Sequence, residues 1–297
     1  MTGNVPRRSS AARPGTGALL VLPGLLLLAV FSYWPLVRSG WLSLHGSDLL
    51  GRPTRWVGLA NFDRVLTDPT LLRVVGTTVV VTAGSVVLAT GTALAAGLLL
   101  RTTGRRVRAV GGVVLSLPFA YSAAAASATF AGLFTPSVGV LDRAATALGF
   151  TGPGWLTDPV WAVVSIVLAT AWYEAGFAVL VVLAALSRLD PSVLEAAALD
   201  GAGELRTAVS VVVPALRPSL LFLVVTQTVT GLQIFTQVQV LTRGGPAGAT
   251  TTIVQELYER AFGAGVPQYG VASALALVLL LLVLAVSAAQ FRLGRER

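Results

Sequence analysis

Six stretches of this chain are apolar for long enough to cross a lipid bilayer, at roughly 17–38, 74–100, 109–134, 160–187, 219–241 and 269–291. A spanning helix needs about 20 such residues. In hydrocarbon, every backbone N–H and C=O must be paired inside the segment or around a closed barrel. The runs are continuously apolar and do not alternate with period two, which argues against a barrel. They predict an all-α integral membrane protein with six transmembrane helices. Composition agrees: only 11% of the 297 residues are charged, against about 25% in soluble domains.

The formal charge is +8, and every basic residue is Arg. In a soluble chain such a charge would suggest nucleic acid; here it follows the positive-inside rule. With the N-terminus in the cytoplasm, the inner segments hold Arg7, Arg8 and Arg13, then Arg101, Arg105, Arg106 and Arg108, then Arg188, Arg206 and Arg217, and finally Arg292, Arg295 and Arg297. The run RTTGRRVR at 101–108 is the strongest vote. Both termini are therefore expected in the cytoplasm, with residues 1–16 as a basic cytoplasmic tail and 17–297 as one transmembrane domain. The alternative for the first apolar run is a signal peptide. Its length, and its exit through Tyr33, Trp34 and Pro35 in place of small residues, favour an uncleaved anchor.

Residues 188–218 interrupt this apolar chain between the fourth and fifth spans, on the cytoplasmic side. Asp190 before Pro191 suits a helix N-cap with proline at the first helical position. Asp200-Gly201 would end that helix, with Gly201 free to turn left-handed. Glu204 suits the start of a second helix through Leu205, Val209 and Val212, where its charge meets the positive end of the dipole, and Pro214 and Pro218 are expected to end it. The segment predicts helix, glycine turn, helix, read either as a simple connector or as a docking element for a cytoplasmic partner.

Polar groups within spans are costly and mark candidate function. Glu174 lies near the middle of the fourth span, in AWYEAGF, beside Trp172 and Tyr173, whose aromatic faces suit sugar rings. In the fifth span Thr226, Thr230, Gln233 and Gln237 recur at helical spacing, on one face. These groups either line a path for a hydroxylated solute or hydrogen-bond between helices. Tyr121 and Ser122, after Pro118, are weaker candidates, and the lone His45 is given no role. With no Cys and one His, no metal site is expected, and a membrane enzyme lacks a catalytic constellation.

Glu195-Ala196-Ala197, Asp200-Gly201-Ala202 and Pro214 resemble the EAA loop of binding-protein-dependent ABC importer permeases. FSYWPLVRSGWLSL, VGLANF, GWLTDP and LTRGGPAGATTT leading into YERAF are similar to its carbohydrate and glycerol-phosphate branch, the maltose-permease-like group. The resemblance covers nearly the whole chain after the tail. Leu205 and Ala208 depart from it, standing where the family often has bulky aromatics. It implies a type I importer fold in a bacterial cytoplasmic (inner) membrane, with 188–218 as the coupling loop. It further implies a separate cytoplasmic ATPase dimer that carries ATP and Mg, a second and different permease subunit, and an external solute-binding protein. The cargo it implies is a di- or oligosaccharide, or glycerol-3-phosphate or a glycerophosphodiester. The chain has no Lys and so no phosphate-cradling Walker A loop, so no cofactor is expected in this chain and it is expected not to be an enzyme. The competing class is a secondary transporter or channel subunit of six helices. That class wants several buried titratable groups or a pore signature, whereas one clear mid-span carboxylate is found.

Overall fold

The computed structural model of the chain describes residues 14–295, with side chains over 21–294; Arg7, Arg8 and Arg13 of the basic tail lie outside the described residues. The described chain opens as a helical rod made of α1 (Pro14–Leu28), a π-helical turn (Ala29–Tyr33) and α2 (Trp34–Ser43). Pro35 has no N–H to return to residue 31 and its ring crowds that carbonyl. The wider π turn just before it relieves the crowding without breaking the rod. Leu25 to Leu28, Phe31 and Val37 are all exposed, so the rod presents an unbroken apolar surface outside the bundle.

A two-stranded antiparallel hairpin follows, β1 (His45–Ser47) and β2 (Pro53–Trp56), then α3 (Ala60–Thr67). Asn61 Nδ2 donates to the carbonyls of Ser43 (2.8 Å) and His45 (2.9 Å), fastening α3 to the end of the rod. His45 Nδ1 donates to the Trp41 carbonyl at 2.7 Å, and its ring lies 3.9 Å from the Trp41 ring. The lone histidine thus belongs to this corner.

The bundle is built on α4 (Pro69–Arg101). Asp68 caps it, accepting from the Thr70 N–H at 2.8 Å. Two elements then form a bent pair: α5 (Arg105–Ser116) with a 3-10 turn (Leu117–Ala120), and α6 (Ala123–Phe134). After α7 (Val140–Ala147) comes α8 (Pro159–Leu186), which makes the most extensive helix–helix contact in the chain, with α4. Ala89, Ala171 and Ala175 are buried along this seam. Such small residues let backbones approach where lipid supplies no hydrophobic drive.

Beyond α8 the chain forms α9 (Pro191–Leu199), α10 (Glu204–Thr207), a π turn (Ala208–Val212), α11 (Val213–Ala215), α12 (Arg217–Leu232), α13 (Thr236–Leu241), α14 (Ile253–Phe262) and α15 (Tyr269–Arg295). Val65, Leu71, Leu232, Ile253 and Leu275 make one core, joining α3, α4, α12, α14 and α15. Ala93, Ala178, Val182 and Leu223 make another, where α4, α8 and α12 meet nearer Arg101.

Among the described residues, four helices are long and apolar enough to cross a membrane, and counting each of two bent pairs as one crossing gives six. Two of the six apolar runs are not single straight helices. The run 109–134 bends by 96° between residues 120 and 123. Pro118 removes a helical donor, Tyr121 is extended, and the Ser122 hydroxyl starts α6 afresh by accepting from Ala125 N–H at 3.1 Å. The run 219–241 is interrupted at 233–235, between α12 and α13.

The second helix of 188–218 carries Pro214 just after a π turn, as the first rod carries Pro35, and it ends at Ala215, between Pro214 and Pro218. The 68° bend falls at Leu216, ahead of α12.

Candidate functional site

The interruption after Leu232 positions the cavity. Ile234 N–H still donates to Gly231 O at 3.1 Å, but Phe235 leaves helical geometry, with φ −137° and ψ −55°. The Ile234 carbonyl is satisfied from elsewhere: Thr252, fully buried before α14, donates its hydroxyl at 3.0 Å. The next residue, Ile253, gives its N–H to the Thr78 hydroxyl of α4 at 3.0 Å. Irregular backbone at membrane depth persists where it lines a cavity and is paired by neighbouring elements.

That cavity has a volume of about 230 Å³ and lies between α4, α8, α12, α13 and the start of α6. Of the residues singled out in the sequence, Tyr173, Glu174, Thr230, Gln233 and Gln237 line it, and Trp172 and Thr226 do not. Thr226 turns its hydroxyl back to the Phe222 carbonyl at 2.8 Å. Trp172 packs 5.4 Å from the Phe130 ring and 6.2 Å from Tyr121. This begins an aromatic series that continues through Phe134 and Trp155 to Trp161. Tyr121 therefore belongs to the aromatic series, and Ser122 is a helix cap.

The polar stripe is not one continuous helical face. Thr226 and Thr230 stand on α12, Gln233 on the break, and Gln237 on α13, buried. Glu174 forms no ion pair or side-chain hydrogen bond among the described residues. Sequence reading missed Ser85, Thr170 and Gln227, which also border the cavity. The Ser85 and Thr170 hydroxyls have no partner among the described residues, and Gln227 accepts from Thr90 at 2.8 Å. A weak signal existed: these are polar side chains within the apolar runs that form α4, α8 and α12.

At the arginine-rich end, α9 to α11 project beyond the bundle. Asp190 accepts from the Ser192 N–H at 2.9 Å, and that bond holds its carboxyl below the usual carboxylate range. Gly201 turns at φ +75°. Glu195, Ala196, Asp200 and Gly201 are exposed, Ala197 is buried, and Ala202 and Pro214 are half-buried. Leu199 and Leu205 are 89% and 79% exposed, an apolar patch on either side of the turn.

A membrane-embedded helical bundle with a polar cavity at a helix break defines a transport-type protein. The sequence profile described as "binding-protein-dependent transport system inner membrane component" matches residues 5–296, and the chain belongs to that family of ABC importer permeases. It is 33% identical over 285 residues to the lactose transport system permease protein LacF of Rhizobium radiobacter, covering 95% of this chain and 94% of the relative. It is 33% identical over 284 residues to the sn-glycerol-3-phosphate transport system permease protein UgpA of Agrobacterium fabrum, covering 94% of each. Its fold matches a chain in the crystal structure of a bacterial alginate ABC transporter in complex with alginate pentasaccharide-bound periplasmic protein. There the TM-score is 0.83 at 19% identity, covering 95% of this chain and 94% of that one.

Proposed function

We propose that this chain forms half of the translocation path of an ATP-driven importer, for a sugar or sugar-like solute handed over by an external binding protein. Lactose and sn-glycerol-3-phosphate are named for its relatives, and a di- or oligosaccharide or a glycerol-phosphate compound is the corresponding cargo here. The observation that carries the reading is the convergence of Tyr173, Glu174, Thr230, Gln233 and Gln237 on one cavity at a break in the membrane helix.

A second, different permease would complete the path. Both termini and residues 188–218 lie in the cytoplasm, a placement supported by the Arg-rich connections. A separate ATPase dimer, holding ATP and Mg, docks on α9 and α10 against Glu195, Leu199 and Leu205. The exposed apolar patch supports this, because nothing else among the described residues covers those two leucines. Nucleotide-driven closure of the ATPases would move this segment and switch the bundle between inward- and outward-facing arrangements.

The test is uptake and co-purification in the complete complex. Glu195→Ala combined with Leu199→Asp is expected to release the ATPase and abolish ATP-driven uptake, with the permease still in the membrane. Uptake and ATPase recovery at the wild-type level would overturn the docking reading.

A further inference from the structure

The cavity carries one carboxylate, Glu174, and no Arg or His among the described residues that line it. Its other polar side chains are all neutral, hydroxyls and amides such as those of Ser85, Tyr173, Thr230, Gln227, Gln233 and Gln237. Glu174 has no cationic partner among the described residues, where the ion pairs are Arg101–Glu204 and Arg260–Glu256. When ionised, Glu174 places a negative charge with no cation among the lining residues beside a partly dehydrated cavity, and that charge acts on whatever enters, because there the Coulomb term is larger than in water. Like charges brought together at such a site are strongly disfavoured, which is how a surface rejects the wrong partner. Hydroxyls and amides, in contrast, match the donors and acceptors of a polyhydroxylated solute.

We infer that Glu174 is a specificity-determining residue, and that this cavity takes uncharged, hydroxyl-rich solutes and rejects phosphate- and carboxylate-bearing ones. The inference rests on the reading of this cavity as part of the translocation path. Within that reading it separates the neutral sugars from the glycerol phosphates. Glu174 supplies repulsion as well as a hydrogen-bond acceptor, so it acts on an anion before any contact is made.

The chain has no cysteine, so an introduced thiol is the one labelled site on this subunit. Thr230→Cys in the cysteine-free full complex, in native membrane vesicles, is labelled with a cationic and with an anionic methanethiosulfonate reagent of similar size. The cationic-to-anionic rate ratio is then compared with that of Thr230→Cys combined with Glu174→Gln. A drop of about fivefold or more in the double variant is expected for a unit charge acting across the cavity. An unchanged ratio means that Glu174 sets no field there and overturns the proposal.

A second arm uses ligand protection. Lactose, maltose, sucrose and trehalose are tried one at a time, and then sn-glycerol-3-phosphate. Slower labelling with at least one of the disaccharides and none with the glycerol phosphate supports the filter. Protection by the glycerol phosphate, or by none of the sugars, overturns it.

Uptake after labelling distinguishes the two readings. Labelled vesicles that still transport would remove the cavity from the path. Blocked transport with no charge preference would leave the path intact and remove only the filter.

Discussion

Arg101 donates through Nη2 to Glu204 Oε2 at 2.6 Å, joining the last residue of α4 to the first of α10. Glu204 is 76% exposed while Arg101 is 16% exposed, so the bond ties a projecting segment to the packed bundle. Arg108 reinforces the anchor, donating to the Leu100, Arg101 and Thr103 carbonyls at the end of α4. An exposed pair of this kind contributes about 0–1 kcal/mol to stability. Its value lies in where it sits, between the proposed docking segment and the helix that borders the cavity. Glu204→Arg is expected to leave the melting temperature nearly unchanged and to lower uptake per ATP hydrolysed. The exchange Arg101→Glu with Glu204→Arg should restore that ratio. A ratio indifferent to both variants rules out the strut.

The turn at Gly201 tests conformation separately from contact. A Cβ there would meet nothing within 4 Å, yet φ is +75°, a region costly for most L-residues. Gly201→Asn, which tolerates left-handed geometry, should retain most uptake. Gly201→Val carries a cost of about 1–2 kcal/mol and should loosen α9 from α10. Equal uptake by the two variants would show that the turn geometry is immaterial.

Asp190 gives a pH dependence of known sign. Its carboxyl is held below the usual range chiefly by the Ser192 backbone N–H, then by the Ser192 side chain. A depressed carboxylate stabilises the folded state above its unfolded pKa, and that stabilisation is lost as pH falls through the depressed value. Amide exchange at the start of α9, corrected for the intrinsic rate, should therefore lose protection only in acid below the ordinary carboxylate range. Asp190→Asn keeps a capping oxygen without the titration, so its protection should stay flat over that range. An acid transition that persists in the Asn variant would assign it to another group.

Much of the membrane topology could be read from sequence, because hydrocarbon forces one answer on a long apolar run. The runs at 74–100, 160–187 and 269–291 coincide to within a few residues with α4, α8 and α15. The caps at Asp190 and Gly201 were equally legible, since each is a local backbone requirement carried by its own residue. The break at 233–235 was not. Nothing within 233–235 is a proline or glycine, and the break is held by Thr252, whose bond to Ile234 spans a sequence separation of 18. The end of the second helix of 188–218 was legible too: it stops at Ala215, between Pro214 and Pro218, although a π turn carries it past Pro214 itself. The cavity was half legible. Glu174 and the glutamines stood out as polar residues in apolar runs. Trp172 was drawn away by aromatic partners on α6, a packing preference no single span reveals.

The approach of α8 to the bend after α5 is set by Gly176. A Cβ at that position would lie 2.5 Å from the Phe119 backbone nitrogen and 3.1 Å from Pro118 Cβ. Backbone cannot rotate out of the way as a side chain does, so Gly176→Ala forces the two elements apart. Overpacking of this sort costs about 1–3 kcal/mol. A Cβ at Gly132 on α6 would meet nothing within 4 Å, so Gly132→Ala is the matched control. Thermal unfolding of the purified complex should show a lower midpoint for Gly176→Ala and no such drop for the control. Equal midpoints would mean that α8 and the bend are not in close contact.

Thr252 is the residue on which the break in the fifth membrane run depends. Its hydroxyl is fully buried and donates to the Ile234 carbonyl at 3.0 Å, within the stretch that borders the cavity. Thr252→Val keeps shape and volume but removes the donor, leaving a buried carbonyl unpaired at a cost of about 1–3 kcal/mol. Thr252→Ser keeps the donor and removes only a methyl. If the bond holds the cavity open, Val should lower both stability and solute affinity in the assembled complex, and Ser should retain most of each. A Val variant that is destabilised but transports with unchanged affinity would confine the bond to folding. One unchanged in both respects would show that the Ile234 carbonyl finds another donor.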